Sequence, residues 1–127
     1  MQDLKQSFDI KADQDRREIH FSIGGVWSTD EMSEFLRKLG GAAKPLIESP
    51  GSFAALGDLS KFVTQQREVA EAIGRSLADA KAHGLNRFAV ITDSTLLQMQ
   101  YKRIAGDLPI AFFGDVASAQ RWLRGQA

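Results

Sequence analysis

The sequence predicts one α/β domain: a largely parallel sheet with an N-terminal antiparallel hairpin strand and about four helices. Two observations carry that expectation. Phe8, Ile10 and Ala12, then Ile19, Phe21 and Ile23, alternate with polar residues at the period of half-buried strands, and the polar run Asp13-Gln14-Asp15-Arg16 between them closes a hairpin. After the first helix, three strand-then-helix units follow, an order that requires a mostly parallel sheet with crossover connections. The 127 residues suffice for one core, since a domain of this size buries roughly two thirds of its unfolded surface. No repeat, linker or low-complexity tail suggests a second domain, so the chain reads as one domain over residues 1–127.

In order, the first helix starts at Trp27-Ser28-Thr29-Asp30-Glu31-Met32. Ser28 and Glu31 have the spacing of a capping box, and Trp27 can pack on Met32 as a hydrophobic staple. Met32, Phe35, Leu36 and Leu39 form one apolar stripe until Gly40-Gly41 weakens the pattern. Between Ala42 and Ser52, which includes Pro45 and Pro50, a further helical turn is expected around Leu46-Ile47. Phe53-Ala54-Ala55-Leu56 is the central strand and Gly57-Asp58-Leu59-Ser60 the turn after it. A second helix with the stripe Val69, Ala72, Ile73, Leu77 and Ala80 follows, N-capped by Thr64 and stopped at Gly84 in the manner of a Schellman cap. The continuous apolar run from Arg87 to Asp93 reads as a strand covered on both faces. Ser94 or Thr95 caps a third helix ending at Gly106, Pro109 to Phe113 is the last strand, and Asp115 caps a short helix through Trp122-Leu123.

Composition excludes several chemistries. Sixteen basic residues balance sixteen acidic ones, so no net field draws the chain to nucleic acid. With no cysteine, disulfides, thiolate nucleophiles and cysteine-ligated metals are ruled out. Nothing in Met1 to Ser7 forms the apolar core of a signal peptide, and no run approaches the ~20 apolar residues of a membrane span. The expectation is a soluble cytoplasmic protein. His20 falls on the polar side of its strand beside Glu18, and His83 serves a helix C-terminus; neither has a second ligand at metal-binding spacing. Gly24-Gly25 and Gly40-Gly41 lack the context of a phosphate loop, and no nucleophile elbow is present. Asp58 and Asp93 end strands without the paired acids of a receiver domain. The expectation is therefore no catalytic residues, no metal, no cofactor, and a binding module that is not an enzyme.

Ligands and partners of open α/β sheets meet the rim at the carboxyl ends of the parallel strands. Two polar turns fall there: Asp58, Ser60 and Thr64 as a candidate partner or phospho-acceptor turn, and Asp93, Ser94 and Thr95 as a second polar rim. The simpler account of all six is turn and cap chemistry. Trp27, Phe62 and Tyr101 are the candidate lining of an apolar pocket, against the plainer reading of Trp27 as a clamp and Phe62 as core. The strand at Ser7 to Ala12 leaves an open sheet edge through which the chain could self-associate, although Asp9 and Lys11 are charges of the kind that blunt an edge.

The order of elements, Asp58-Leu59-Ser60 at a strand end, and Phe112-Phe113-Gly114-Asp115 followed by Ala119 and Trp122-Leu123 together resemble the SpoIIAA-like branch of the STAS domains over nearly the whole chain. That resemblance implies a sheet with helices stacked along it and a protein partner. It also implies regulation of the anti-anti-sigma kind, by phosphorylation of a serine at the start of the helix after the Asp-Leu-Ser strand end. The regulated STAS proteins continue into an Asp-Ser-Ser-Gly type turn, where this chain has Lys61-Phe62-Val63-Thr64-Gln65-Gln66; Thr64 is the nearest hydroxyl and Ser60 the next. The same branch is similar in architecture to lipid-transfer domains of the CRAL-TRIO kind, which implies a rival role as carrier of a small apolar ligand.

Overall fold

Five strands lie side by side in chain order, β1 (Ser7–Asp13), β2 (Glu18–Gly25), β3 (Phe53–Phe62), β4 (Leu85–Ile91) and β5 (Ile110–Phe113). This is a computed structural model, which describes residues 6–125; the reading of Met1 to Lys5 as free of a signal core lies outside them. β1 pairs antiparallel with β2, and every later pair is parallel. The helices α1 (Thr29–Glu48), α2 (Arg67–Ala82) and α3 (Thr95–Ala105) cover one sheet face, and α4 (Val116–Leu123) covers part of the other. The two faces hold separate cores. Phe88, Val90, Ile19 and Leu59 join the three-helix side, whereas Ala54, Leu56, Ala89 and Ile91 meet Ala119 and Leu123 of α4.

α1 starts as its capping box dictates: Glu31 N–H donates to Ser28 Oγ at 3.2 Å, and Ser28 N–H to Glu31 Oε1 at 2.9 Å. The bond from the Ser28 N–H holds the exposed Glu31 carboxyl below its ordinary range. The expected break at Gly40-Gly41 is absent, and one helix runs through Pro45 to Glu48. Each helical glycine costs about 1 kcal/mol and the proline loses one backbone bond, but the apolar stripe continues into buried Ala43 and Leu46. Burying one leucine contributes about 1.5–3 kcal/mol. The helix has no basic residue in its last turn, and Arg17 supplies the missing charge from the hairpin.

β3 also outruns its expected end. Strand pairing continues through Asp58-Leu59-Ser60 to Phe62, because Leu59 and Phe62 are both buried and Lys61 and Phe62 pair with Gly24 and Gly25. A register shift falls here: Ser22 faces Asp58 while Gly24 faces Lys61, so β3 carries one extra residue. Inside the same strand Gly57 leaves room for the rings of Phe21 and Phe88, whose centroids are 5.9 Å apart; a Cβ on Gly57 would sit 2.6 Å from Phe21 Cζ.

The N-cap of α2 is Gln66, which makes no side-chain cap bond, so Thr64 is not the cap expected of it. Gly84 ends that helix at φ +115°, and His83 Nδ1 lies 2.8 Å from the Asp79 carbonyl oxygen. Ser94 rather than Thr95 caps α3, accepting from Leu97 N–H at 3.1 Å. Asp115 caps α4, accepting from Ser118 N–H at 2.7 Å, a bond that lowers its carboxyl pKa.

Candidate functional site

At the carboxyl rim of β3, the extra residue of the bulge leaves the Ser60 N–H without a ladder partner, and Asp58 Oδ1 accepts it at 3.0 Å. Asp58 and Ser60 thus sit within a strand, not a turn, on the face that α1 to α3 leave open. With Ser7, Ser22 and Lys61 they line a polar hollow of about 150 Å³. Beyond β4, buried Thr92 accepts the Ser94 N–H through Oγ1 at 3.1 Å, and Asp93 and Thr95 face solvent.

Between these two strand ends lies a residue that hydropathy patterning overlooked. Gln65 is buried, and its amide is saturated: Oε1 accepts from Trp27 N–H at 3.1 Å, while Nε2 donates to Gly25 O at 3.2 Å and Val63 O at 2.6 Å. Its backbone is held just as firmly. Gln65 N–H donates to Gln100 Oε1, and Gln100 Nε2 returns a bond to Gln65 O, both at 3.1 Å. This pairing lays the β3–α2 connection against α3. Thr64, next in chain to Gln65, is exposed. Leu96, one helical turn before Gln100, is 67% exposed, and Met99, three residues after Leu96, is 55% exposed. The rim therefore holds an exposed hydroxyl next in chain to Gln65, and exposed apolar side chains on the helix that Gln100 ties to it.

Trp27, Phe62 and Tyr101 do not converge on a common pocket. All three are buried, and burial pushes the Tyr101 phenol well above its ordinary range. Trp27 is a clamp: its Nε1 donates to Gly24 O at 2.9 Å and its ring lies 5.5 Å from that of Phe35. Only Tyr101 borders the apolar cleft between α1 and α2, which has a volume of about 160 Å³. That is less than the roughly 300–1,000 Å³ of small-molecule sites.

A family model described as SpoIIAA-like matches residues 19–124. The chain belongs to the SpoIIAA-like family. The matched span holds the whole rim and leaves β1 outside it. Among solved structures, an uncharacterised protein of the DUF3478 family with a SpoIIAA-like fold, from Shewanella loihica, superposes with a TM-score of 0.69. It is 20% identical, and the alignment covers 97% of this chain and 98% of that one, a likeness of fold. No curated protein matches the chain.

At the opposite end of this SpoIIAA-like sheet, Glu18 is not the exposed residue that strand alternation suggests. It is 3% exposed, its carboxylate gripped by Arg124 Nε and Nη2 at 3.2 Å each and lying 2.8 Å from His20 Nε2. The reason is α4, whose C-cap Arg124 crosses the polar side of β2. Burial alone would raise the Glu18 pKa, but the bonds from Arg124 and His20 outweigh it and the net shift is downward. A lowered folded-state pKa stabilises above the ordinary carboxylate range, and that contribution is lost as pH falls through the folded value. Glu18→Gln will accordingly be less stable near neutrality and show a shallower loss of stability below about pH 4. Urea titrations at a series of pH values check this, and parallel pH profiles for the two proteins would contradict it. No group of three or more metal-ligating side chains is found among the described residues, and no helix among them is long and apolar enough to cross a membrane.

Proposed function

We propose that this SpoIIAA-like chain is a non-catalytic module that binds a protein partner at the rim formed by the β3–α2 connection and the first half of α3. The observation that carries the reading is the pairing of Gln65 with Gln100, which ties the connection bearing exposed Thr64 to the helix bearing exposed Leu96 and Met99. Exposed apolar side chains next to a modifiable hydroxyl suit a contact that a charge can disrupt. The remaining polar groups of the rim support the same reading, since Asp58, Thr92 and Ser94 are each engaged with backbone N–H groups. A phosphate on Thr64 would add close to two negative charges beside the apolar contact, and like-charge or desolvated-charge contacts cost several kcal/mol at an interface.

The test uses wild type, Leu96→Asp, Thr64→Ala and Thr64→Asp, each with its melting temperature measured. A discrete protein retained from native lysate by wild type and Thr64→Ala, weakened by Thr64→Asp and lost by Leu96→Asp, is the expected result. All four should melt within a few degrees of one another, because exposed positions change stability by about 0.5 kcal/mol or less. Identical retention by all four would defeat the proposal. The rival role as an apolar-ligand carrier draws no support from the cleft between α1 and α2, whose volume of about 160 Å³ is too small for a fatty chain.

A further inference from the structure

The outer edge of β1 has no strand beside it among the described residues, and at seven residues β1 is the longer of the two sheet edges; β5 has four. Edge strands are commonly protected by charge, and β1 carries Asp9 and Lys11, both exposed and neither in an ion pair among the described residues. The spacing of those two charges is the informative feature. A two-fold axis normal to the sheet keeps each face on its own side, so facing residues must have the same parity. Centring the axis on Ile10 sets each Asp9 opposite Lys11 of the second copy, twice over. The same register pairs Phe8 with Ala12 and Ser7 with Asp13, using all seven residues of the strand. Moving the axis by one residue to either side sets Asp9 against Asp9 or Lys11 against Lys11.

We propose that β1 is the interface of a symmetric homodimer, two copies pairing antiparallel about Ile10 so that the sheets join into one of ten strands. Such an interface is isologous and closes on itself, so it yields a dimer and not a fibre. Phe8 gives it an apolar element. The ring is 48% exposed in the single chain, although it packs edge-on to Trp27 and Phe35, and it lies diagonal to Ile10 of the second copy in this register. The face opposite α1 to α3 carries the two Asp9–Lys11 pairs. Charge thus permits one register and opposes its neighbours, which is the role of charge in strand pairing generally.

Sedimentation equilibrium of wild type, Asp9→Lys, Lys11→Asp, the double exchange Asp9→Lys/Lys11→Asp, and an equimolar mixture of the two single variants tests the proposal. Wild type should reach twice the 14.0 kDa protomer mass. Each single reversal sets like charges opposite one another in both symmetric pairs and should weaken the dimer about tenfold or more. The double exchange and the mixture restore opposite charges at every pair, and both should recover the dimer. Asp9 and Lys11 are exposed, so the single variants should fold, and recovery in the mixture would show that they do. A wild type that stays at the protomer mass at every concentration overturns the proposal. So do single variants that dimerise as well as wild type, or a mixture that does not recover.

Discussion

Arg17→Ala should destabilise the protein by about 2–4 kcal/mol, as read by urea unfolding, although it removes a residue at a hairpin turn. The Arg17 guanidinium donates to Ser52 O and Ser49 Oγ at 2.8 Å, to Leu46 O at 2.9 Å and to Gly51 O at 3.0 Å. These acceptors belong to the last turn of α1, its C-cap Ser49 and the residues just beyond, and Arg17 is the cation that this helix end otherwise lacks. Bonds to a charged donor contribute about 1.5–3 kcal/mol each, but several here are solvent-accessible and water replaces part of what is lost. Arg17 also holds φ at +55°, where a side chain is strained. Arg17→Gly should therefore be less damaging than Arg17→Ala, by about 1 kcal/mol. Arg17→Lys should recover little of the loss, because a single ammonium cannot reproduce the planar fork. An alanine variant within 0.5 kcal/mol of wild type, roughly the scatter of ordinary surface substitutions, would show that the lock contributes nothing.

Gln65→Ala should cost about 3 kcal/mol or more. It strips partners from Trp27 N–H, Gly25 O and Val63 O in a buried setting, and each orphaned buried group costs about 1–3 kcal/mol. Gln65→Glu separates hydrogen bonding from size. The Trp27 bond survives, but a carboxylate oxygen replaces the amide that donates to two carbonyls, so Gln65→Glu should be at least as unstable as Gln65→Ala. Melting temperatures of the two variants check the ordering. In hydrogen exchange, the Trp27 amide should lose protection in Gln65→Ala and keep it in Gln65→Glu. A glutamate variant as stable as wild type would mean that the amide donors do not hold the connection.

These two residues also mark where the sequence stops being readable. The strands, the capping box at Ser28 and Glu31, and the caps at Ser94 and Asp115 were legible because each depends on neighbours within a few positions. The bonds from Arg17 to Leu46, Trp27 to Gln65 and Arg124 to Glu18 span 29, 38 and 106 positions, and no periodicity reports such pairings. α1 outran Gly40-Gly41 for the same reason, since the burial of Ala43 and Leu46 is a tertiary effect that overrides local propensity. Of the candidate site, Asp58 and Ser60 were expected in a turn that β3 absorbs, whereas Thr64 lies two residues beyond the end of the strand. Leu96 and Met99 went unmarked. The stripe of α3 was read for its buried side, and the exposed side becomes informative only once Gln100 is seen to hold Gln65.

The central claim, that this SpoIIAA-like chain works through a protein-binding rim, is tested most directly by hydrogen exchange on the chain with and without the partner it retains. Binding should slow exchange at Thr64 to Gln66 and along Leu96 to Gln100, and leave the α1 and α2 segments that border the apolar cleft unchanged. Protection confined to that cleft, with the rim exchanging as in the free chain, would contradict it.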